Sequence, residues 1–154
     1  MSDQRRLRAL VESVTTRPGF TSSIGTRVVA VEVGKVQMAL GRRPDLLQFS
    51  GHFHGGVIAA LTDHAAGAAV TTALPEGRIA ITINLHINYL APAKGETLMA
   101  TARTVMVGAS VGVAQVDLDT VVDGSGHPCA VALVTLRAVD KKAATNPSST
   151  GDDA

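Results

Sequence analysis

The chain is poor in aromatic residues, in charge and in cysteine. Aromatic residues make up 3% of its 154 residues, tryptophan is absent, and charged residues make up 18%. The net charge of +1 gives no general attraction to nucleic acid or to acidic membranes. Cys129 is the single cysteine, which excludes an internal disulfide framework and favours a reducing compartment. We therefore expect a cytoplasmic protein with no nucleic-acid partner.

The sequence also lacks convincing membrane or targeting segments. The first seven residues contain no apolar signal core. The stretch from Gly55 to Leu74 is long enough to cross a bilayer, but it is mostly alanine and glycine. Asp63 near its centre would cost about 2.5–3.5 kcal/mol on insertion scales. We expect no membrane association.

Hydrophobic spacing predicts one α+β domain over residues 1–140. An amphipathic helix is expected at 4–14 and a long, almost wholly apolar helix at 55–74. Strands are expected at 24–33, 35–40, 79–90, 96–106, 110–122 and 128–139. This order predicts one antiparallel sheet of about six strands wrapped round the long central helix. The polar residues 141–154 are predicted to form a disordered tail.

Residues 79–90 alternate regularly between apolar and polar side chains. The alternation predicts a strand with two distinct faces. The apolar face would carry Ile81, Ile83, Leu85, Ile87 and Tyr89, and the other face Thr82, Asn84, His86 and Asn88.

The entry to the long helix has a special composition. His54 precedes Gly55 and Gly56, whose small size permits a tight turn and the close approach of another molecule. The first N–H groups of a helix have no internal partner, and the helix dipole adds partial positive charge there. This end suits an anion or a developing oxyanion.

Asp63 lies two turns further along the same helix. Its neighbours are alanine, leucine and glycine, so the helix is expected to be buried on most sides, and burying a carboxylate is costly without partners. From residue types alone, a functional role and a structural role on a solvent-facing side are equally supported.

Two stretches of the sequence carry a family resemblance. The earlier one reads Gln48-x-x-Gly51-x-x-His54-Gly55-Gly56, followed by Leu61-x-Asp63. The later one, residues 81–93, ends in an aromatic residue, a small residue and Pro-Ala. Together they resemble the PaaI-like (phenylacetate-pathway-type) hotdog-fold acyl-CoA thioesterases, in which the later stretch is the strand after the helix. The resemblance covers roughly residues 24–139.

The resemblance implies a role for each matched residue. The Gly55 backbone N–H would form the oxyanion hole for the thioester carbonyl. The Gln48 amide would orient the carbonyl or a water. Asp63 would act as general base or nucleophile, with the Thr82 hydroxyl beside it. His54 would support the loop.

Further residues are assigned to substrate binding on the same basis. These are Gly56, Asn84 and Gly108. Many relatives carry a basic residue directly after the glycine of the later turn, where this chain has Ala109. No cofactor is expected, because coenzyme A is part of the substrate.

The spacing of Gly55 and Asp63 bears on the assembly. Eight residues on one helix correspond to about 12 Å along its axis at ~1.5 Å per residue. One thioester could not contact both in one chain. We therefore expect a site shared between two chains, and the family resemblance also implies a homodimer or a dimer of dimers.

Other readings of these residues stay open. Gly51-His52-Phe53 superficially resembles the Gly-His-Phe of hotdog dehydratases, but Ala66 stands where those enzymes have a catalytic glutamate. A non-catalytic acyl-CoA binding module would not need the Asp63 carboxylate. His52 and His54 could ligate a metal together with Asp63 or His64, but no further cluster completes a ligand shell. We predict no metal site.

Overall fold

The computed structural model describes residues 3–145, in which a six-stranded antiparallel sheet curls round one long helix. The helices are α1 (Asp3–Thr15), α2 (Phe20–Ser23), α3 (Gly55–Ala73) and α4 (Lys141–Thr145). The strands are β1 (Arg27–Glu32), β2 (Lys35–Gly41), β3 (Arg78–Tyr89), β4 (Thr97–Val107), β5 (Val111–Val122) and β6 (Ser125–Asp140). Their order across the sheet is β1-β2-β4-β5-β6-β3. This is the predicted α+β hotdog arrangement, with the predicted central and N-terminal helices.

The sheet packs closely on α3 because the helix presents small side chains to it. Ala65, Ala66 and Ala69 are fully buried. At Gly112 of β5, an added Cβ would lie 2.6 Å from Val70 Cγ1. The glycine is therefore required for the close approach of strand and helix. Burial on this scale explains why α3 is so apolar.

Two threonines of α3 are buried without leaving a polar group unpaired. The Thr62 hydroxyl donates to the Ile58 carbonyl at 2.8 Å. The Thr72 hydroxyl donates to the Ala69 carbonyl at 2.7 Å and accepts from the Gly34 N–H at 2.9 Å. The hydrogen bond from Gly34 to Thr72 links the end of α3 to the turn between β1 and β2. Both buried hydroxyls thus have hydrogen-bond partners, as buried polar groups usually do.

Several element boundaries differ from the prediction. The short helix α2 occupies residues that were not assigned, and β1 begins at Arg27 rather than at residue 24. Strand β6 begins at Ser125, because the turn before it contains only Asp123 and Gly124. The tail that was predicted to be disordered begins as α4, and residues 146–154 of it lie outside the described residues.

The predicted face alternation along β3 is wrong in its first half. Thr82 pairs with Leu136 but Asn84 pairs with Thr135, so Ile83 is an extra residue in a β-bulge. A bulge shifts the side-chain phase by one. Leu85 and Ile87 face α3 as predicted, whereas Ile81 and Ile83 are 47% and 60% exposed.

The two edges of the sheet are treated differently. At the β1 edge, the Arg8 side chain of α1 donates to the carbonyls of Val28 and Val29 at 3.3 and 3.2 Å. The other edge is β3, a twelve-residue strand at the end of the sheet order. Exposed apolar edge strands of this length are templates for pairing with another chain.

Across residues 3–145, no helix combines the length and the apolar character that crossing a bilayer requires.

Candidate active site

The first turn of α3 leaves one backbone donor free. His54 is the N-cap residue, and its Nδ1 accepts from the Gly56 N–H at 2.9 Å. The N–H groups of Val57 and Ile58 donate to the His54 carbonyl at 2.9 and 3.1 Å. The Gly55 N–H has no acceptor among residues 3–145. The donor that the family resemblance assigns to the oxyanion hole is thus the one that the cap leaves available.

Tyr89, at the end of β3, holds the same glycine from the other side. Its hydroxyl donates to the Gly55 carbonyl at 2.7 Å. A Cβ added at Gly55 would lie 3.3 Å from the Tyr89 Cζ and hydroxyl oxygen, which is tight for real side chains. No site role was predicted for Tyr89 from the sequence. Its position at the end of the matched strand was the available signal.

The loop before α3 is fixed largely by backbone hydrogen bonds. The Gln48 N–H donates to the His52 carbonyl at 2.8 Å, and the Gly51 N–H donates to the Gln48 carbonyl at 2.9 Å. Gly51 has φ of 79°, which favours glycine. Phe53 is 1% exposed and donates its N–H to the Ala93 carbonyl at 3.0 Å. The loop is therefore anchored in the core on the side next to the helix.

The Gln48 side chain is half-buried and forms no hydrogen bond within residues 3–145. Gln48 and Gly55 line one cleft of about 460 Å³, which we call the glycine cleft. Ile58, Tyr89 and Pro92 also line it. Gln48 and Gly55 thus lie on one concave surface.

Asp63 and Thr82 line a different cleft of about 300 Å³, which we call the aspartate cleft. Asp63 is exposed in the single chain, although α3 was expected to be buried on most sides. It lies on the side of α3 between α1 and the start of β3, which the sheet does not cover. Neither the carboxylate nor the Thr82 hydroxyl forms a hydrogen bond within the described part of the chain.

His64, beside Asp63, joins α3 to α1. Its Nε2 lies 2.9 Å from the Thr15 hydroxyl oxygen, and that hydroxyl donates to the Val11 carbonyl at 2.9 Å. Because the hydroxyl proton is used there, Nε2–H donates to the oxygen. Burial lowers the pKa of His64, partly opposed by the Asp63 carboxylate. The neutral ring thus links α3 to α1 by a hydrogen bond.

Asn84 and Gly108 line neither cleft. Asn84 is exposed on β3 just after the bulge. The Gly108 N–H donates to the Val111 carbonyl at 2.8 Å in the β4–β5 turn. Arg78 braces this turn by donating to the Ala109 carbonyl at 3.0 Å. Gly56 also lines neither cleft, and substrate contacts of Gly56, Asn84 and Gly108 stay a prediction.

No three His, Cys, Asp or Glu side chains cluster as metal ligands within residues 3–145. The one cysteine of the chain, Cys129, is buried, and this burial raises the pKa of its thiol to about 11. A thiol with so high a pKa is a poor nucleophile at neutral pH.

Comparison with known proteins identifies the family. Residues 50–126 match the family model of the thioesterase superfamily. An esterase-named protein of Halobacterium salinarum is 36% identical over 131 residues, which are 81% of this chain and 86% of the relative. The chain belongs to the thioesterase superfamily.

Further known proteins are similar to this chain in sequence or in fold. A 1,4-dihydroxy-2-naphthoyl-CoA hydrolase of Listeria monocytogenes is 29% identical over 100 residues, 65% of this chain and 81% of that protein. A thioesterase family protein from Silicibacter pomeroyi superposes with a TM-score of 0.83 at 25% identity, covering 87% of this chain and 98% of that chain. The PaaI protein of E. coli shares the fold, with a TM-score of 0.78 at 19% identity over 90% of this chain and 96% of that chain. The PaaI protein thus shares the fold of this chain, whose superfamily hydrolyses thioesters.

Proposed function

We propose that this thioesterase hydrolyses acyl-CoA to a free acid and coenzyme A in an active site assembled from two copies of the chain. The observation that carries the proposal is that four candidate residues lie in two clefts with no lining residue in common: Gln48 and Gly55 in one, Asp63 and Thr82 in the other. One cleft offers donors, Gln48 and the Gly55 N–H. The other offers an acceptor and proton carrier, Asp63 with Thr82.

The free edge of β3 supports the way in which the two clefts would meet. The aspartate cleft lies at the start of β3, at Ile79–Thr82, and the glycine cleft lies at its end, at Tyr89. If two β3 strands pair antiparallel about a twofold axis, the start of one lies beside the end of the other. The aspartate cleft of one copy then faces the glycine cleft of the second. The exposed Ile81 and Ile83 would then gain cross-strand neighbours from the second copy.

Asp63, the Gly55 N–H and one water are sufficient for thioester hydrolysis in the combined site. Water oxygen attacks the thioester carbonyl carbon while Asp63 accepts a water proton. The carbonyl oxygen becomes an oxyanion and accepts a hydrogen bond from the Gly55 N–H, a donor typically worth roughly 3–4 kcal/mol. Collapse of the tetrahedral intermediate breaks the C–S bond, and the thiolate of coenzyme A takes up the proton. Direct attack by Asp63, followed by hydrolysis of the anhydride, uses the same groups.

The acyl-CoA substrate is supported by the name of the Listeria relative, a CoA hydrolase. We propose that the reaction needs no bound cofactor. Ala66, which stands where hotdog dehydratases have their glutamate, is fully buried against the sheet, so the dehydratase alternative has no carboxylate there.

The first test is thiol release from a panel of short, long and aryl acyl-CoAs by wild type and by Asp63→Ala. We expect turnover by the wild type and its collapse in the variant, with the fold and the oligomeric state checked separately. Binding of acyl-CoA without release by the wild type would support a binding module instead.

The second test addresses the shared site. Asp63→Ala and Gln48→Ala chains are mixed under conditions that exchange subunits. A mixed dimer keeps one intact site, so random mixing should restore roughly a quarter of the wild-type activity, since about half of the dimers are mixed. If both clefts of one chain served the same thioester, mixing would restore nothing.

A further inference from the structure

Helix α1 runs antiparallel along α3 and forms a groove with it. At one end, Thr15 is hydrogen-bonded to His64. At the other end, Arg6 lies 3.5 Å from the Glu76 carboxylate, just beyond α3. The two contacts place the C-terminal end of α1 next to Asp63 and its N-terminal end about a helix length away.

Two clefts lie along α1 between these two contacts. The first is the aspartate cleft, and the second, of about 560 Å³, is lined by Leu7 and Leu74 among others. The two adjoin, because Leu10, Thr71 and Ile79 line both. We call the combined feature the α1 groove.

The lining of the α1 groove is polar at both ends and aliphatic between them. Asp63 and Thr82 supply polar groups at one end, and charged side chains, among them Arg6 and Glu76, line the other end. Between the two ends lie aliphatic side chains such as Val14, Leu10 and Leu7, and the described lining of the two clefts contains no phenylalanine, tyrosine or tryptophan. The aliphatic middle fits an alkyl chain and offers no ring for stacking an aryl group.

We propose that the α1 groove binds the acyl part of the substrate, with its carbonyl at Asp63 and Thr82 and a linear aliphatic chain extending along α1. This inference rests on the proposed acyl-CoA hydrolysis and specifies its substrate class. In this proposal, side chains of α1 determine which lengths of acyl chain the enzyme accepts.

The spacing along α1 supports a linear occupant. Val14, Leu10 and Leu7 are spaced by four and three residues, so they lie on one helix face. They span about 10 Å along the axis. Val14 lines the aspartate cleft, Leu7 lines the second cleft, and Leu10 lies between them. Leu10 is therefore the position at which a longer chain must pass.

The test compares Leu10→Trp with the matched control Ala9→Trp in the full chain. Ala9 is exposed on the same helix and lines neither cleft. The readout is kcat/KM for a series of saturated straight-chain acyl-CoAs from acetyl to palmitoyl, with benzoyl-CoA included. Melting temperature and oligomeric state are measured for each variant.

We expect the wild type to prefer aliphatic chains over benzoyl-CoA. In Leu10→Trp, the ratio of kcat/KM for long over short chains should fall by about tenfold or more, as filling a hydrophobic pocket discriminates at that scale. Ala9→Trp should keep the wild-type ratio.

Two failures are distinguishable. If the folded wild type releases thiol from no acyl-CoA, the proposed function fails. If it hydrolyses acyl-CoAs but Leu10→Trp and Ala9→Trp give the same chain-length profile, or if benzoyl-CoA is the best substrate, the α1 groove proposal is overturned while the function stands. An unfolded Leu10→Trp is replaced by Leu10→Phe with the same expected direction.

Discussion

The two ends of β3 carry the two halves of the candidate site, and they are built in opposite ways. Near Tyr89, the Gln48 loop and the first turn of α3 are held by backbone hydrogen bonds and by the Tyr89 hydroxyl. Near Thr82, the Asp63 carboxylate is exposed and has no hydrogen bond within residues 3–145. The donor half is thus preorganised within one chain. The acceptor half is completed, in our proposal, only by a second chain.

Gly55→Ala should break the preorganised half most severely. The added methyl lies 3.3 Å from the Tyr89 ring, so either the ring or the helix start must shift. Either shift would displace the Gly55 N–H, and the loss of one oxyanion-hole donor lowers kcat by roughly 10²–10³. Steady-state kinetics measures this. Gly41→Ala is the control, since an added Cβ there would have no heavy atom within 4 Å and Gly41 lines neither cleft of the site.

Thr82→Val tests the acceptor half at nearly constant shape. It removes a hydroxyl that has no partner within residues 3–145, so the free energy of unfolding should change little. If the hydroxyl bonds the Asp63 carboxylate or the attacking water, kcat should fall by about tenfold to a hundredfold, the value of a hydrogen bond to a charged group. Unchanged kcat would remove Thr82 from the site.

Tyr89→Phe sharpens the comparison by removing one hydrogen bond from the preorganised half. The Gly55 carbonyl loses its 2.7 Å donor while the ring stays. We expect about 0.5–1.5 kcal/mol less stability, measured by denaturant unfolding. The fall in kcat should be smaller than for Gly55→Ala. If kcat falls as far as in Gly55→Ala, the hydroxyl itself takes part in the reaction.

His64→Gln should give the smallest effect, confined to the pH dependence of stability. Burial lowers the pKa of His64 in the folded chain from its ordinary value of 6.5. Below pH 6.5 the unfolded chain therefore binds more protons, and stability falls as the pH falls towards the folded pKa. Glutamine keeps a donor towards Thr15 without titrating. Melting curves from pH 7.5 to 5 should show a shallower slope in the variant than in the wild type.

Much of this protein could be predicted from the sequence because the signals are local. The apolar run of α3, its boundaries at Gly55 and Ala73, and the strands between glycine and proline breaks follow from periodicity and turn chemistry. The residues that face the glycine cleft, Gln48 and Gly55, lie within one contiguous stretch. Helix geometry alone was enough to predict that Gly55 and Asp63, eight residues apart, lie too far from each other to contact one thioester in the same chain.

Other features were decided by tertiary contacts. The bulge at Ile83 lets β3 keep both halves of its inner face on α3, and nothing in the alternation of residues 79–90 reveals it. Tyr89 reaches Gly55 across 34 residues, and Thr15 reaches His64 across 49. These pairs form because the sheet curls round α3 and α1 lies along it. Local propensity determined which elements form, whereas the packing of elements distant in sequence determined which side chains share a cleft.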